Sequence, residues 1–98
     1  MENIQGKVKK FVEEYNLKHR PEIATLDLVS EVGEIAKEIL KASNYGKKEP
    51  EYKEDLKEEI GDAFYSLINL ANHYNIDLEQ VLEMALEKYK TRLEKRVN

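Results

Sequence analysis

Apolar residues recur at intervals of three and four positions in four segments of the chain, which is the spacing of an amphipathic helix. These segments cover residues 2–16, 21–42, 51–74 and 78–96. Pro21 suits the first position of a helix, and Gly46 is typical of the residues that follow a helix end. Pro50 indicates a new start after the one clear loop, and Asp77 with Gln80 three positions later resembles a capping box. The pattern therefore predicts four helices.

The composition agrees with a helical fold and limits what else the chain can be. Two prolines and four glycines in 98 residues leave little room for strands and tight turns, so we expect one all-α domain over residues 1–98. The net charge of −4 argues against a nucleic-acid-binding surface, which usually carries a basic excess. No apolar run approaches the length of a membrane span, and there is no cysteine for a disulfide. We expect a cytoplasmic protein without membrane contact.

The second and third helices carry the same short unit, in which a glycine stands between two acids. It is EVGE at residues 31–34 and EIGD at residues 59–62. Residues three or four apart share a helix face, so each unit places two carboxylates side by side. On the second helix, Asp27 and Glu38 extend this acidic stripe. A solvated outer face explains that stripe about as well as a ligand site does.

The third helix is less easily explained as a solvated surface. From Ile60 to Ala71 its only charged residue is Asp62, which predicts a helix that is buried nearly all round. A buried carboxylate needs a partner, and no basic residue lies three or four positions from Asp62. We expect the partner to be a metal ion or a group on another helix, and a tyrosine hydroxyl is the simplest such group.

Gly33 and Gly61 stand immediately before the second acid of each unit. Glycine inside a helix is about 1 kcal/mol less favourable than alanine, so we interpret both as allowing two helices to approach closely. If the loop at residues 43–50 joins these helices as an antiparallel pair, four carboxylates can converge. Each charge then makes the next less favourable. A hard divalent cation relieves this repulsion, and Mg²⁺ is the usual choice where phosphates are bound.

The spacing of the four acids, with its flanking sequence, resembles the MazG-like nucleotide pyrophosphohydrolases of the all-α NTP pyrophosphatase superfamily. The pattern is Glu31-x-x-Glu34, twenty-four residues, then Glu59-x-x-Asp62. The segment HRPEIATLDLVSEVGEIAKEI is similar to the entry into the family's first metal-binding helix. The segment EEIGDAFYSLINLANHYNIDLEQVLEMALEKYKTR is similar to the second metal-binding helix and the helix after it. The resemblance implies a four-helix, MazG-like bundle completed by oligomerisation, as a homodimer or homotetramer.

The resemblance also implies a reaction and a set of site residues. The implied ligands of Mg²⁺, or of Mn²⁺ in its place, are Glu31, Glu34, Glu59 and Asp62. The family reaction hydrolyses a nucleoside triphosphate between its α and β phosphates, giving the monophosphate and pyrophosphate. Glu34 or Glu38 is the candidate base for the attacking water. Family members place basic residues of the last helix near the phosphates, and Lys88 and Arg92 match them. A solvated basic face near a helix C-terminus explains this pair equally well.

Asn69 continues the acidic stripe of the third helix and is a candidate for binding the base or sugar, although a helix–helix hydrogen bond explains it equally well. Three functions are consistent with the sequence. The first is a nucleoside triphosphate pyrophosphohydrolase that removes unwanted nucleotides from the pool. The second is phosphoribosyl-ATP pyrophosphohydrolase, which shares the acids and the reaction. The third is a non-catalytic helical interaction module, which has no use for Asp62 in an apolar segment.

Overall fold

The computed structural model describes residues 3–51 and 53–97, and within them the predicted all-α class is confirmed. The helices are α1 (Ile4–Glu14), α2 (Pro21–Ala42), α3 (Glu54–His73) and α4 (Leu78–Val97). Over the same ranges, none of the helices combines the length and hydropathy of a membrane span. The four helices match the four predicted segments, and α2 has the predicted bounds.

Local chemistry explains where the helices begin and end. The Asn3 side chain accepts a hydrogen bond from the backbone N–H of Gly6 at 2.7 Å, which caps α1. After α2, Gly46 has a φ of +85°, in the left-handed region that glycine adopts at low cost. The Asp77 carboxylate accepts hydrogen bonds from Glu79 N and Gln80 N at 3.0 and 3.3 Å, which is the Asp77 half of the predicted capping box.

The predicted start of the third helix was wrong. The helix begins at Glu54 rather than after Pro50, because Lys53 is extended, with φ −129° and ψ 141°, and occupies the N-cap position. Glu54 and Asp55 then lie in the first turn, where negative side chains interact favourably with the helix dipole. Proline fixes its own φ but does not oblige the residues after it to become helical.

Helix α3 is the centre of the fold. Helix α2 packs along it and α1 packs on another part of it, whereas α4 packs only marginally on the other helices within the described residues. The radius of gyration is 16.9 Å, against about 13 Å for a compact domain of this length. The single chain is therefore an open arrangement, and α4 leaves the α1–α3 body at the corner that follows α3.

The buried core is small and leaves much apolar surface uncovered. Its apolar members are Ala24, Ala42, Ala63, Ile68 and Ala71. The expectation that α3 is buried nearly all round was wrong, because Ile60 is 53% and Phe64 44% exposed, and Asp62 is exposed as well. The physical reason is the position of α4, which does not cover this face of α3.

The proposed role of the two helix glycines in close packing was also wrong within the chain. A Cβ atom added to Gly33 or Gly61 would meet nothing within 4 Å, so neither glycine is needed for the approach of α2 to α3. Both glycines are exposed and border open space beside the acids.

Candidate active site

Helices α2 and α3 run antiparallel and bring acids from both helices to one point. Residues near the start of α2, such as Ala24, share a cavity with residues near the end of α3, such as Asn69. Further along the pair, carboxylate oxygens of Glu31, Glu59 and Asp62 lie within 4.8 Å of one another. The i, i+3 spacing puts Glu59 and Asp62 on one face of α3, and packing against α2 adds Glu31.

The other two predicted acids of α2 lie beside this cluster but do not complete it. Glu34 is half-buried, and its charge acts on Glu59, although its oxygens fall outside the group of three. Glu38, one turn further on, has a side chain that is only 17% exposed and lies 4.0 Å from the Lys41 ammonium. Of these two acids, Glu34 is therefore the one whose charge acts on the cluster, while Glu38 has a basic neighbour of its own.

The cluster is electrostatically unfavourable as it stands. Partial burial raises the pKa of Glu59, and so does its hydrogen bond with Glu31, together with the charges of Glu31, Glu34 and Asp62. Within residues 3–51 and 53–97, none of the three clustered carboxylates forms a salt bridge with a basic side chain. A helical hairpin that presents only carboxylate oxygens at this spacing is a suitable donor set for a hard divalent cation such as Mg²⁺.

We expect Glu59→Gln to raise the Tm of the metal-free protein at pH 8. The pKa of Glu59 is raised above its usual 4.5 in the folded protein, so ionised Glu59 destabilises the folded state. This destabilisation is absent below pH 4.5, develops between pH 4.5 and the raised folded-state pKa, and is complete above that pKa. The gain in Tm should therefore disappear at pH 4. Thermal melts in EDTA measure both values.

Glu58→Gln is the matched control for this substitution. It removes the adjacent exposed acid, which lies outside the cluster, and changes the net charge by the same amount. Equal Tm gains for the two variants at pH 8 would show that general charge reduction, rather than repulsion within the cluster, accounts for the effect.

The predicted phosphate-binding pair lies apart from the acids within one chain. Lys88 and Arg92 are exposed on α4, which packs only marginally on the helices that carry the cluster. The Lys88 ammonium lies 5.2 Å from the centre of the Tyr89 ring. Within a single chain, the described contacts do not place Lys88 and Arg92 next to the acid cluster. Their phosphate-binding role therefore stays a prediction.

Asn69 lies in the wall of a cavity at the opposite end of the α2–α3 pair from the connecting loop. The cavity has a volume of about 340 Å³ and lies between α1, the start of α2 and the end of α3. Its lining residues include Lys9, Glu13, His19, Asn69, Asn72 and His73. Asn69 is seven residues, or about 10 Å of helix, from Asp62.

The sequence did not indicate this cavity, because three separate segments build it. His19 stands in the segment just before α2. In the structure its ring lies 3.9 Å from the Asp27 carboxylate and lines the cavity. Lys9 and Asn72 come from α1 and α3 and carry no local motif, so the only usable signal was the excess of amide side chains near the end of α3.

Comparison with known proteins assigns the chain to a family. Residues 19–97 match the MazG nucleotide pyrophosphohydrolase domain, and the chain belongs to that family. The chain is 32% identical over 96 residues to the protein YpjD of Bacillus subtilis (strain 168), covering 94% of this chain and 85% of YpjD.

Two solved structures share the fold. A crystal structure of YpjD from Bacillus subtilis superposes with a TM-score of 0.75 at 32% identity, and covers 94% of each chain. The crystal structure of a Bacillus-conserved MazG protein, a nucleotide pyrophosphohydrolase, superposes with a TM-score of 0.73 at 28% identity. That comparison covers 88% of this chain and 84% of the other. The predicted MazG-like fold is thus confirmed.

Proposed function

We propose that this protein is a Mg²⁺-dependent enzyme that hydrolyses a nucleoside triphosphate to the monophosphate and pyrophosphate. The observation that carries the proposal is the group of three carboxylates within 4.8 Å, on a domain of a nucleotide pyrophosphohydrolase family. An interaction module would gain nothing from three repelling acids that have no basic partner among the residues that the structure describes. The same cluster is useful to an enzyme whose substrate arrives with a divalent cation.

In this proposal the acids hold the metal and activate the water. Glu31, Glu59 and Asp62 supply oxygen ligands, and Glu34 joins them or accepts the proton of the attacking water. A bound divalent cation neutralises phosphate charge and polarises the α phosphorus. Glu34 is preferred to Glu38 as the base, because the charge of Glu34 is felt at the cluster whereas Glu38 lies near Lys41. Mn²⁺ is an alternative to Mg²⁺.

In this proposal, the nucleoside binds in the cavity near the end of α3. It is separated from the acids by about 10 Å of helix, a distance that a triphosphate chain and a sugar can span. Asn69 in its wall offers both a donor and an acceptor to a base or sugar. The cavity volume of about 340 Å³ is at the small end of ordinary ligand pockets.

A nucleotide panel with pyrophosphate detection tests the function. The panel holds the four ribonucleoside and four deoxyribonucleoside triphosphates, modified nucleotides and phosphoribosyl-ATP, each with Mg²⁺, with Mn²⁺ and with EDTA. The proposal expects pyrophosphate release from at least one triphosphate, and none in EDTA. Turnover of phosphoribosyl-ATP alone would assign the protein to histidine biosynthesis instead. Absence of hydrolysis across the panel would contradict the proposed function.

We also expect the chain to assemble as a homodimer or homotetramer. Leu26 is 64% and Val29 65% exposed on α2, and α4 presents further uncovered apolar residues. Soluble proteins rarely leave so much apolar surface uncovered, and a two-fold partner would bury it. Light scattering at micromolar concentration should give two or four times the 11.5 kDa of the chain.

A substitution on the exposed face of α2 provides the control for assembly. Val29→Asp should weaken association, because it places a charge in the apolar surface that the partner would cover. Lys37→Glu changes an exposed residue of the same helix and should leave the mass unchanged. A wild-type mass close to that of one chain, with full activity, would contradict the prediction.

A further inference from the structure

Gln5 in the first turn of α1 joins three parts of the chain that are distant in sequence. Its side-chain Nε2 donates to Asn72 Oδ1 at 3.0 Å and to the carbonyl oxygen of Ile76 at 2.7 Å. Its Oε1 accepts from the backbone N–H of Leu78 at 2.7 Å, and its own carbonyl oxygen accepts from Asn72 Nδ2 at 3.0 Å. These four hydrogen bonds, here called the Gln5 clasp, connect α1 to the end of α3 and to the first residue of α4.

The chemistry of the clasp requires a primary amide at position 5. One group donates to the Ile76 carbonyl while its other atom accepts from the Leu78 N–H, and the Gln5 amide supplies this donor and acceptor at any ordinary pH. The Leu78 N–H is one of the first-turn donors of α4 that have no partner inside the helix. Three N–H groups at the start of α4 are therefore satisfied by side chains. Gln5 accepts from Leu78, and the Asp77 carboxylate accepts from Glu79 and Gln80.

The clasp matters because, within one chain, little else fixes the direction of α4 relative to the other helices. Helix α4 packs only marginally on the other helices within the described residues, so its orientation is decided at the corner between His73 and Leu78. Asn75 in this corner has a φ of +55°, and the Ile76 N–H donates to the Ala71 carbonyl at 2.9 Å. The corner itself is thus a local turn, and the Gln5 clasp is its connection to α1.

We infer that Gln5 is a positioning residue, which holds α4, and with it the predicted phosphate-binding pair Lys88 and Arg92, at a fixed angle to α1 and α3. This inference rests on the proposed function. It assigns a role to α1, which precedes the residues 19–97 that match the family. Gln5 itself touches neither the acid cluster nor Lys88 or Arg92, and acts through the orientation of α4.

The length of α4 converts a small change at the clasp into a large displacement. Lys88 lies ten residues beyond Leu78 and Arg92 fourteen, which is about 15 and 21 Å along the helix. A tilt of about 10° at Leu78 would move Arg92 by roughly 4 Å. Hydrogen bonds to a phosphate tolerate far less than this, and a misplacement of 1 Å can lower a rate by about a hundredfold.

The test combines a distance with a rate. The chain has no cysteine, so Lys37→Cys with Glu94→Cys gives two unique spin-label sites, on α2 and on α4. Labelled protein diluted into unlabelled protein reports the distance within one chain. Gln5→Met keeps the length of the side chain but removes both amide atoms. We expect it to shift or broaden the label distance by several ångströms and to lower kcat/KM by about ten- to a hundredfold.

Two controls separate positioning from general destabilisation. Val8→Ala removes packing from the same half-buried side of α1 but leaves the clasp intact, and should keep the label distance and stay within about twofold in kcat/KM. In a background that carries both Lys88→Ala and Arg92→Ala, Gln5→Met should lower kcat/KM much less than in the wild type, because the residues through which it acts are already removed. If Gln5→Met does not fold, Gln5→Glu keeps an acceptor for Leu78 and loses the donor to Ile76.

Each result decides one part of the inference. An unchanged label distance in a folded Gln5 variant would contradict the claim that the clasp fixes the orientation of α4. A changed distance with unchanged kcat/KM, or an equal loss of kcat/KM in the wild type and in the background lacking both Lys88 and Arg92, would contradict the positioning role. If the wild type hydrolyses no nucleotide, the proposed function fails and the positioning role with it, while the distance still decides whether Gln5 holds α4.

Discussion

Replacing Asp62 by Asn should lower kcat/KM by about 10²- to 10³-fold and leave the fold intact. Asn has nearly the same shape but cannot supply a charged oxygen to a divalent cation. A metal ion contributes several kcal/mol of transition-state stabilisation, and each 1.36 kcal/mol is worth about tenfold in rate. Because Asp62 is exposed, the substitution buries no unsatisfied amide and should not reduce the Tm of the metal-free protein.

Asp55→Asn is the matched control for Asp62→Asn. It makes the same chemical change on the same helix, at an exposed acid outside the cluster, and should retain near-wild-type turnover. Pyrophosphate release measures both variants under identical Mg²⁺ concentrations. Hydrolysis by Asp62→Asn at a rate close to that of the control would remove Asp62 from the proposed site.

Millimolar Mg²⁺ or Mn²⁺ should raise the melting temperature of the protein. A ligand that binds only the folded state at about ten times its Kd stabilises that state by about 1.4 kcal/mol. For a domain of this size, that corresponds to a rise in Tm of roughly 6–11 °C. The stabilisation arises because the cation removes the repulsion among Glu31, Glu59 and Asp62.

The control for the metal effect must account for ionic screening. NaCl at the same ionic strength also weakens repulsion between exposed charges, but should give a much smaller shift. The Asp62→Asn variant should lose most of the Mg²⁺-dependent rise. Equal shifts with NaCl and MgCl₂, together with no calorimetric signal for Mg²⁺ binding, would contradict a divalent cation site.

Much of the fold could be predicted from the sequence because its determinants are local. The bounds of α2 follow from Pro21 at its start and the left-handed residues that end with Gly46. The burial of α3 could not be predicted in the same way. An apolar segment indicates which surface needs covering, but not whether the same chain covers it. Here α4 turns away and leaves Phe64 partly exposed.

The candidate site, like the fold, could be predicted from the sequence only in part. Glu59 and Asp62 could be placed side by side from their spacing. The repeat of the same acidic unit in α2 predicted that α2 would add acids opposite them. Spacing alone could not show that Glu31 contributes to the group of three while Glu34 lies just outside it. That depends on the register between α2 and α3, which side-chain packing along the whole interface decides.

The cavity and the Gln5 clasp could not be predicted from the sequence for another reason. Their partners are far apart in the chain: Gln5 bonds to Asn72, Ile76 and Leu78 over separations of 67 to 73 residues. A lone Gln in the first turn of a helix carries no pattern that distinguishes it from a solvated side chain. Only the three-dimensional arrangement of α1 on α3 reveals its partners.

The most direct test of the central claim is a ³¹P NMR spectrum of a substrate triphosphate incubated with the protein and Mg²⁺. The claim is that the acids of α2 and α3 direct metal-dependent hydrolysis between the α and β phosphates. The predicted spectrum shows nucleoside monophosphate and pyrophosphate in equal amounts, with a reaction at least about a hundredfold slower for Asp62→Asn and none in EDTA. A nucleoside diphosphate with inorganic phosphate, or unchanged hydrolysis in EDTA, would contradict it.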